Sequence, residues 1–183
     1  MKKDFISGKA WVLINRDGDL IEDIDTDQIY HNAFLHITDR SQMGRYALGN
    51  LSGWEDFSDK AVPGDILIVG RNFGAGSSRQ QAVDCFASLG IALIIAPSFG
   101  AIYFRNAVNS GFPLIRCANI KDLVKKGSLI SGDEVGVDLY SGKGSVHNRA
   151  ISFQTEPMSE VQYAILKAGG LFNYGREISS GKD

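Results

Sequence analysis

The 183-residue chain predicts an α/β fold: a mostly parallel sheet flanked by helices, with an antiparallel extension. Three observations carry this expectation. Short apolar runs such as Ile66-Leu67-Ile68-Val69 suit strands buried on both faces. Segments with apolar residues at helical spacing alternate with those runs, the pattern of right-handed βαβ crossovers. Glycine is abundant, 21 residues against 4 prolines, so short elements are punctuated by tight turns.

Taken in order, residues 9–14 contain the β-rich run Ala10-Trp11-Val12-Leu13-Ile14 and predict a first strand. Arg16-Asp17-Gly18-Asp19 reads as a turn, and the acidic stretch Glu22-Asp23-Ile24-Asp25-Thr26-Asp27 follows. Residues 31–60 have a weak, polar pattern; loops of such length are functional or mobile. Residues 65–69 predict a buried strand. Residues 77–89 predict a helix with Ala82, Val83, Phe86, Ala87 and Leu89 near one face and Gly90 as its stop. A strand over 91–96, a helix over 98–110 closed by Gly111 and Pro113, and a strand over 112–117 complete the βαβ pattern. Beyond it, 120–126 predict a short helix. Residues 134–140 and 146–153 predict a hairpin around Ser141-Gly142-Lys143-Gly144. A final helix over 158–168 stops at Gly169-Gly170, and residues 179–183 read as a frayed tail. The expectation is a single domain over 1–183, large enough to bury a core without staples.

Composition narrows the function classes. A net charge of −2 with no basic run argues against nucleic acid or an anionic membrane as partner. No stretch approaches the ~20 apolar residues of a membrane span. The first ten residues lack the apolar run of a signal peptide, so the expected location is cytoplasmic. Cys85 and Cys117 form no CxxC and have no His-rich neighbourhood, so no metal site is expected on them. They read as buried or half-buried free thiols in a reducing compartment.

The chemistry concentrates in Gly74-Ala75-Gly76-Ser77-Ser78-Arg79, between a predicted strand and a predicted helix. A glycine-rich turn there brings backbone close to a ligand and aims N–H groups at an anion. Ser77 and Ser78 fall at the expected cap and first turn, and Arg79 offers a planar fork for a carboxylate. Local chemistry alone favours a plain helix cap for the two serines. Nucleotide loops are excluded on residue type: Arg79 stands where a dinucleotide loop has its third glycine, and a Walker loop would have lysine. A hydrolase elbow would have glycine where Arg79 stands.

The run Asn72-Phe73-Gly74-Ala75-Gly76-Ser77-Ser78-Arg79 resembles the Gly-x-Gly-Ser-Ser-Arg motif of the aconitase swivel domain and of isopropylmalate isomerase (3-isopropylmalate dehydratase) small subunits. Three further segments resemble that family in the same order. These are Asp25-Thr26-Asp27-Gln28-Ile29, then Ile95-Ala96-Pro97-Ser98-Phe99 with Tyr103-Phe104-Arg105-Asn106, and Leu166-Lys167-Ala168-Gly169-Gly170-Leu171. The resemblance spans nearly the whole chain and implies a swivelling β/β/α fold. It implies a hydro-lyase that isomerises or dehydrates a substituted malate, as in leucine biosynthesis, active only with a large subunit that holds a [4Fe-4S] cluster. The substrate class is a small di- or tricarboxylate hydroxy acid. By the resemblance Ser77 is the base, Ser78 supports the anion, and Arg79 holds a substrate carboxylate. Gly76 joins Arg79 in binding substrate. Asp27 borders the site, as an orienting group or as a turn aspartate. Thr26 reads as structural, and Arg105 and Asn106 as supports of the loop or of a partner contact.

The sequence departs from the family at several points. Tyr30-His31-Asn32-Ala33 replaces an Ile-Pro-x-Arg pattern, and Phe34-Leu35-His36-Ile37 replaces Tyr-Leu-Arg-Thr. By the resemblance His36 and Ile37 line the substrate-specificity region at 31–60, with Arg40 or Arg45 as replacement cations. Gln80-Gln81 stands where relatives often have Glu-His. Two other readings therefore stay open: a small subunit of homoaconitate hydratase or of another substituted-malate dehydratase, and a non-catalytic carboxylate-binding or regulatory subunit.

Overall fold

The computed structural model describes residues 4–180. The elements in chain order are β1 (Phe5–Val12), α1 (Thr26–Ile29), α2 (Arg40–Met43), α3 (Phe57–Lys60), β2 (Ile66–Ile68), α4 (Gln81–Leu89), β3 (Leu93–Ala96) and α5 (Ala101–Asn109). There follow β4 (Leu114–Arg116), α6 (Ile120–Lys125), β5 (Glu134–Asp138), β6 (Lys143–Val146), β7 (Ile151–Gln154), α7 (Glu160–Ala168) and α8 (Leu171–Ser179).

The sheet order is β4-β3-β2-β1-β5-β6-β7. Strands β1 to β4 run parallel, and β5, β6 and β7 extend the sheet antiparallel from β1. Strand β1 serves both halves. Phe5 to Lys9 pair with β5, whereas Ala10 to Val12 pair with β2. Near this handover a Cβ on Gly8 would lie 1.9 Å from the Gly64 carbonyl oxygen, so the crossing tolerates only glycine.

Register explains why the parallel strands read as unbroken apolar runs. Trp11, Leu67, Ile94 and Leu114 align across one face, and Val12, Ile68, Ile95 and Ile115 across the other. The first face packs under Ile29, Met43, Phe57, Val83, Phe86 and Tyr103 from the helical side. The second face packs against Val135, Val137, Val146 and Phe153 of the antiparallel half, with Ile120 and Leu166. The sheet therefore curls over itself, and the layers are β/β/α as expected.

Several boundaries differ from the sequence expectation, each for a local reason. Strand β1 begins at Phe5 rather than residue 9, because β5 pairs with its polar, alternating start. The helix expected from 77 begins at Gln81, because residues 73–75 are held as extended chain between two neighbouring segments. Ser77 and Ser78 are therefore neither cap nor first turn. The strand expected over 146–153 divides: β6 ends at Val146, and a turn closing on Ala150 (φ 53°) leads into β7. Residues 31–60 are not a bare loop; Met43, Ala47, Leu48, Leu51 and Phe57 anchor them in the core. Helix α8 lies in a stretch the sequence pattern had left unassigned after Gly170. Of the expected frayed tail, Ser179 closes α8, and residues 181–183 lie outside the described residues. No helix among the described residues is long and apolar enough to cross a membrane.

Candidate active site

Parallel strands β1, β2 and β3 all end at one edge of the sheet, and the segments leaving them meet there. Ligands of open α/β sheets bind at this carboxyl edge. The glycine-rich segment leaving β2 is the centre strip. On one side Gly74 donates its N–H to Ile24 O at 2.8 Å and Thr26 donates to Ala75 O at 2.9 Å. On the other, Phe73 donates to Ser98 O at 3.2 Å and Gly100 donates to Phe73 O at 2.8 Å. Three of the four sequence motifs thus become neighbours through backbone hydrogen bonds. Gly74 has φ +77°, and a Cβ there would sit 2.2 Å from the Tyr103 ring. That glycine allows α5 to pack directly against the strip.

The Asp25-Thr26-Asp27 segment is locally self-sufficient. Asp25 Oδ1 accepts the N–H groups of Asp27 and Gln28 at 2.8 Å, and the Gln28 side chain accepts the Asp25 N–H, a complete capping box. The box spends Asp25 on the backbone and leaves the Asp27 carboxylate for other work. Thr26 is buried, in keeping with its structural reading.

Asp27 Oδ1 receives Arg79 Nη1 at 2.6 Å and Asn32 N–H at 3.0 Å; its Oδ2 receives Asn50 Nδ2 at 3.2 Å. The Arg79 guanidinium holds the Asp27 carboxyl below the usual carboxylate range; partial burial opposes this, and the Asn32 N–H adds to it. Arg79 Nη1 also donates to Tyr30 O at 3.1 Å. Its Nε and Nη2 make no hydrogen bond among the described residues, so one edge of the fork stays available.

Ser77 is exposed, and its hydroxyl makes no hydrogen bond among the described residues. Ser78 is exposed too, and its Oγ accepts Asn106 Nδ2 at 3.3 Å. Gly76 is exposed with φ +94°. Asn106 thus touches the loop, whereas Arg105 is exposed and its side chain makes no hydrogen bond among the described residues.

The specificity region is brought only partly to this site. Tyr30 and Asn32 touch Arg79 and Asp27 through backbone groups. His36 is exposed, and its Nδ1 sits 2.9 Å from Ala33 O in the same turn. Ile37 is half-buried and packs on the core. Neither forms a hydrogen bond with residues 74–79. The two candidate cations are engaged elsewhere: Arg40 Nη2 pairs with Asp84 at 2.7 Å, and the Arg45 guanidinium lies 6.0 Å from the Tyr46 ring centroid.

Sequence reasoning missed Asn50 and noted Gln80 only as a departure from the family pattern. Asn50 lies 23 residues from Asp27, and a lone exposed Asn in a polar stretch carries no local signal.

The two cysteines do not fit an iron–sulfur cluster. Cys85 is fully buried in α4, and burial pushes its thiol far up. Cys117 is buried under the second face, with its thiol pushed up to about 11. A cluster is held by several cysteines together, and Cys85 and Cys117 pack on opposite faces of the sheet. Among the described residues no three His, Cys, Asp or Glu side chains converge as a metal would require.

Residues 54–119 match the aconitase C-terminal domain family. The 3-isopropylmalate dehydratase small subunit of Caldicellulosiruptor bescii is 36% identical over 153 residues, covering 84% of this chain and 88% of that protein. The 2,3-dimethylmalate dehydratase small subunit of Eubacterium barkeri is 35% identical over 153 residues, covering 84% of this chain and 90% of its own length. The crystal structure of 3-isopropylmalate dehydratase from Methanocaldococcus jannaschii superposes with a TM-score of 0.82 at 32% identity, covering 98% of this chain and 99% of that one. Sequence and architecture agree over almost the full length, and this chain belongs to the family of 3-isopropylmalate dehydratase small subunits.

Proposed function

We propose that this chain is the small subunit of a hydro-lyase that isomerises 3-isopropylmalate in leucine biosynthesis, working with a large subunit that holds a [4Fe-4S] cluster. The observation that carries the reading is the convergence of Asp27, Arg79 and the exposed Ser77-Ser78 pair at the carboxyl edge of the parallel strands. Arg79 is held in place from behind, by Asp27 and Tyr30 O through a single nitrogen, with Nε and Nη2 left to clamp a substrate carboxylate. Ser77, its hydroxyl proton passed to a base of the large subunit, takes the proton α to that carboxylate. The electron pair left on carbon forms the C=C bond and expels the neighbouring hydroxyl, which takes up the proton held by that base and leaves as water. The Ser77 hydroxyl is far too weak an acid to act as a base unaided, and none of the described residues hydrogen-bonds to it. Ser78 and Gly76 stand beside it, but the positive charge that stabilises a Ser77 alkoxide comes with the large subunit. The chain is therefore half of an active site. The cluster ligands belong to the large subunit. His36 and Ile37 mark the specificity region at 31–60, within the single domain formed by the whole chain.

Identity to the 2,3-dimethylmalate relative is nearly the same as to the 3-isopropylmalate relative, so substituted malates as a class are the substrates to compare. The test is anaerobic reconstitution with the cluster-bearing large subunit, assayed on a panel of 2- and 3-substituted malates. The expected result is turnover of 3-isopropylmalate, none by this chain alone, and a fall in kcat of about 100- to 10,000-fold for Ser77→Ala. Turnover of Ser77→Ala at the wild-type rate would refute the base assignment. A carboxylate-binding subunit without catalysis would instead bind malates and turn over none.

A further inference from the structure

We propose that Gln80 is a positioning residue for the Ser77-Ser78-Arg79 loop, acting through both walls that flank it; this rests on the reading that the loop acts on substrate. Arg79 is anchored by Asp27 and Tyr30 O, but the two serines before it have little to hold them. Residues 77–79 precede α4, the Ser77 hydroxyl has no hydrogen bond among the described residues, and the start of α4 has no side-chain cap. Gln80 is the next residue. Its Nε2 donates to Asp84 Oδ1 at 3.0 Å and to Ser110 Oγ at 2.7 Å.

Both acceptors are already committed. Asp84 is a carboxylate with no hydrogen to give; its side chain is only 9% exposed, and it also receives Arg40 Nη2 at 2.7 Å. Ser110 gives its own hydrogen to Asn106 O at 2.9 Å. The position therefore calls for two hydrogens from one side-chain nitrogen. An amide supplies them, and a carboxylate of the same shape supplies none.

Two routes return from Gln80 to the loop. Through Ser110 it reaches Asn106, whose Nδ2 meets Ser78 Oγ. Through Asp84 it reaches Arg40 at the start of α2, shortly after the turn whose Tyr30 carbonyl receives Arg79. One amide thus ties the end of the loop to α5 on one side and to the 30–43 segment on the other. The charged groups facing position 80 are Asp84 on its own helix and Arg40 on α2; Ser110 and Asn106 on the α5 side are uncharged.

The test uses Gln80→Glu and the double variant Gln80→Glu with Asp84→Asn. The single change sets two carboxylates around Arg40. The double change exchanges donor and acceptor, because the amide introduced at position 84 can then donate to the carboxylate introduced at position 80. Hydrogen–deuterium exchange of the full chain and kinetics of the reconstituted complex on substituted malates are read together. Gln80→Glu is expected to speed exchange at residues 76–80 with the parallel strands unchanged, and to lower kcat about 10- to 100-fold, the cost of a loop misplaced by about an ångström. The double variant restores the Asp84 side alone, because a carboxylate at position 80 still has no hydrogen for Ser110 Oγ, and it is expected to recover part of both losses. Unchanged exchange at 76–80 would overturn the proposal, as would faster exchange throughout the chain, or faster loop exchange with kcat and KM within about twofold of wild type. Should wild type turn over no malate at all, the functional reading falls instead, and the exchange arm still decides whether Gln80 holds the loop.

Discussion

The Arg79–Asp27 pair beside the glycine-rich loop and the Arg149–Asp133 pair under the hairpins close at the same distance, 2.6 Å, yet they bury opposite partners. In the first, the Arg79 side chain is 16% exposed and that of Asp27 35%. In the second, Arg149 is 32% exposed and Asp133 only 4%. Asp133 is saturated: Asn148 Nδ2 at 2.8 Å, Ile130 N–H at 2.9 Å and Arg149 Nε surround it, and Arg149 Nη1 continues to Gly127 O. It fastens the β6–β7 turn to the residues preceding β5. Arg79, by contrast, spends one nitrogen on two acceptors and keeps an edge unspent. Bond length therefore does not tell the two pairs apart. What differs is whether the network is closed around the carboxylate, as at Asp133, or leaves an edge of the cation open, as at Arg79; the proposed function assigns that edge to a substrate carboxylate.

The largest expected effect tests the open pair. In the proposed function Arg79 gives substrate two charge-assisted hydrogen bonds, worth together about 3 kcal/mol, so Arg79→Met is expected to lower kcat/KM of the reconstituted complex on the order of 100-fold. Steady-state kinetics beside urea unfolding of the same variant give the comparison. A large loss of stability with unchanged kcat/KM would show that both pairs serve the fold.

Next comes the closed pair. Arg149→Met leaves the Asp133 carboxylate buried with part of its network gone, which costs about 1–3 kcal/mol of folding stability, while turnover per folded complex is unchanged. Equilibrium unfolding reads the first quantity and active-site-normalised kinetics the second.

The smallest effect is on pH dependence. Burial of Asp133 by itself would raise its carboxyl; the Asn148, Ile130 and Arg149 donors together outweigh burial, and the net shift is downward. A carboxylate lowered in the folded state contributes stability above its unfolded value, about pH 4, and loses it as pH falls through the lower folded value. Asp133→Asn should therefore flatten the acid limb of the stability–pH curve below about pH 4 and leave its slope near neutrality unchanged. Urea midpoints measured across the acid range check this. An unaltered acid limb would mean that the Asp133 network is not closed in solution.

Much of the fold was legible because burial leaves a local trace. The runs at 66–68 and 93–96 are apolar on both faces since helices cover one face and the curled hairpins the other. Gly90 and Gly169 each take a left-handed conformation at a helix end, and a helix stop is readable from such a glycine. The failures are equally physical. The helix start slipped from 77 to 81 because the strip at 73–75 is held by Ile24, Thr26, Ser98 and Gly100, partners more than 20 residues away in sequence. Helix α8 escaped because Gly169-Gly170 reads as a stop, although its apolar residues Leu171, Phe172 and Ile178 lie at helical spacing and stay exposed in the structure.

From the sequence alone came the βαβ core, which rests on residue type and short-range spacing, and the candidates Ser77, Ser78, Arg79 and Asp27, which rest on four ordered motifs that resemble one family. Tertiary structure alone decided that Asp27 rather than Asp25 faces Arg79, since the capping box consumes Asp25. It alone decided that Arg40 is spent on Asp84 and that an amide at position 80 bridges two walls. Those are statements about which donor meets which acceptor across distant segments. A hydrogen bond fixes partners through distance and angle in space, and spacing along the chain carries that information only within a turn or two.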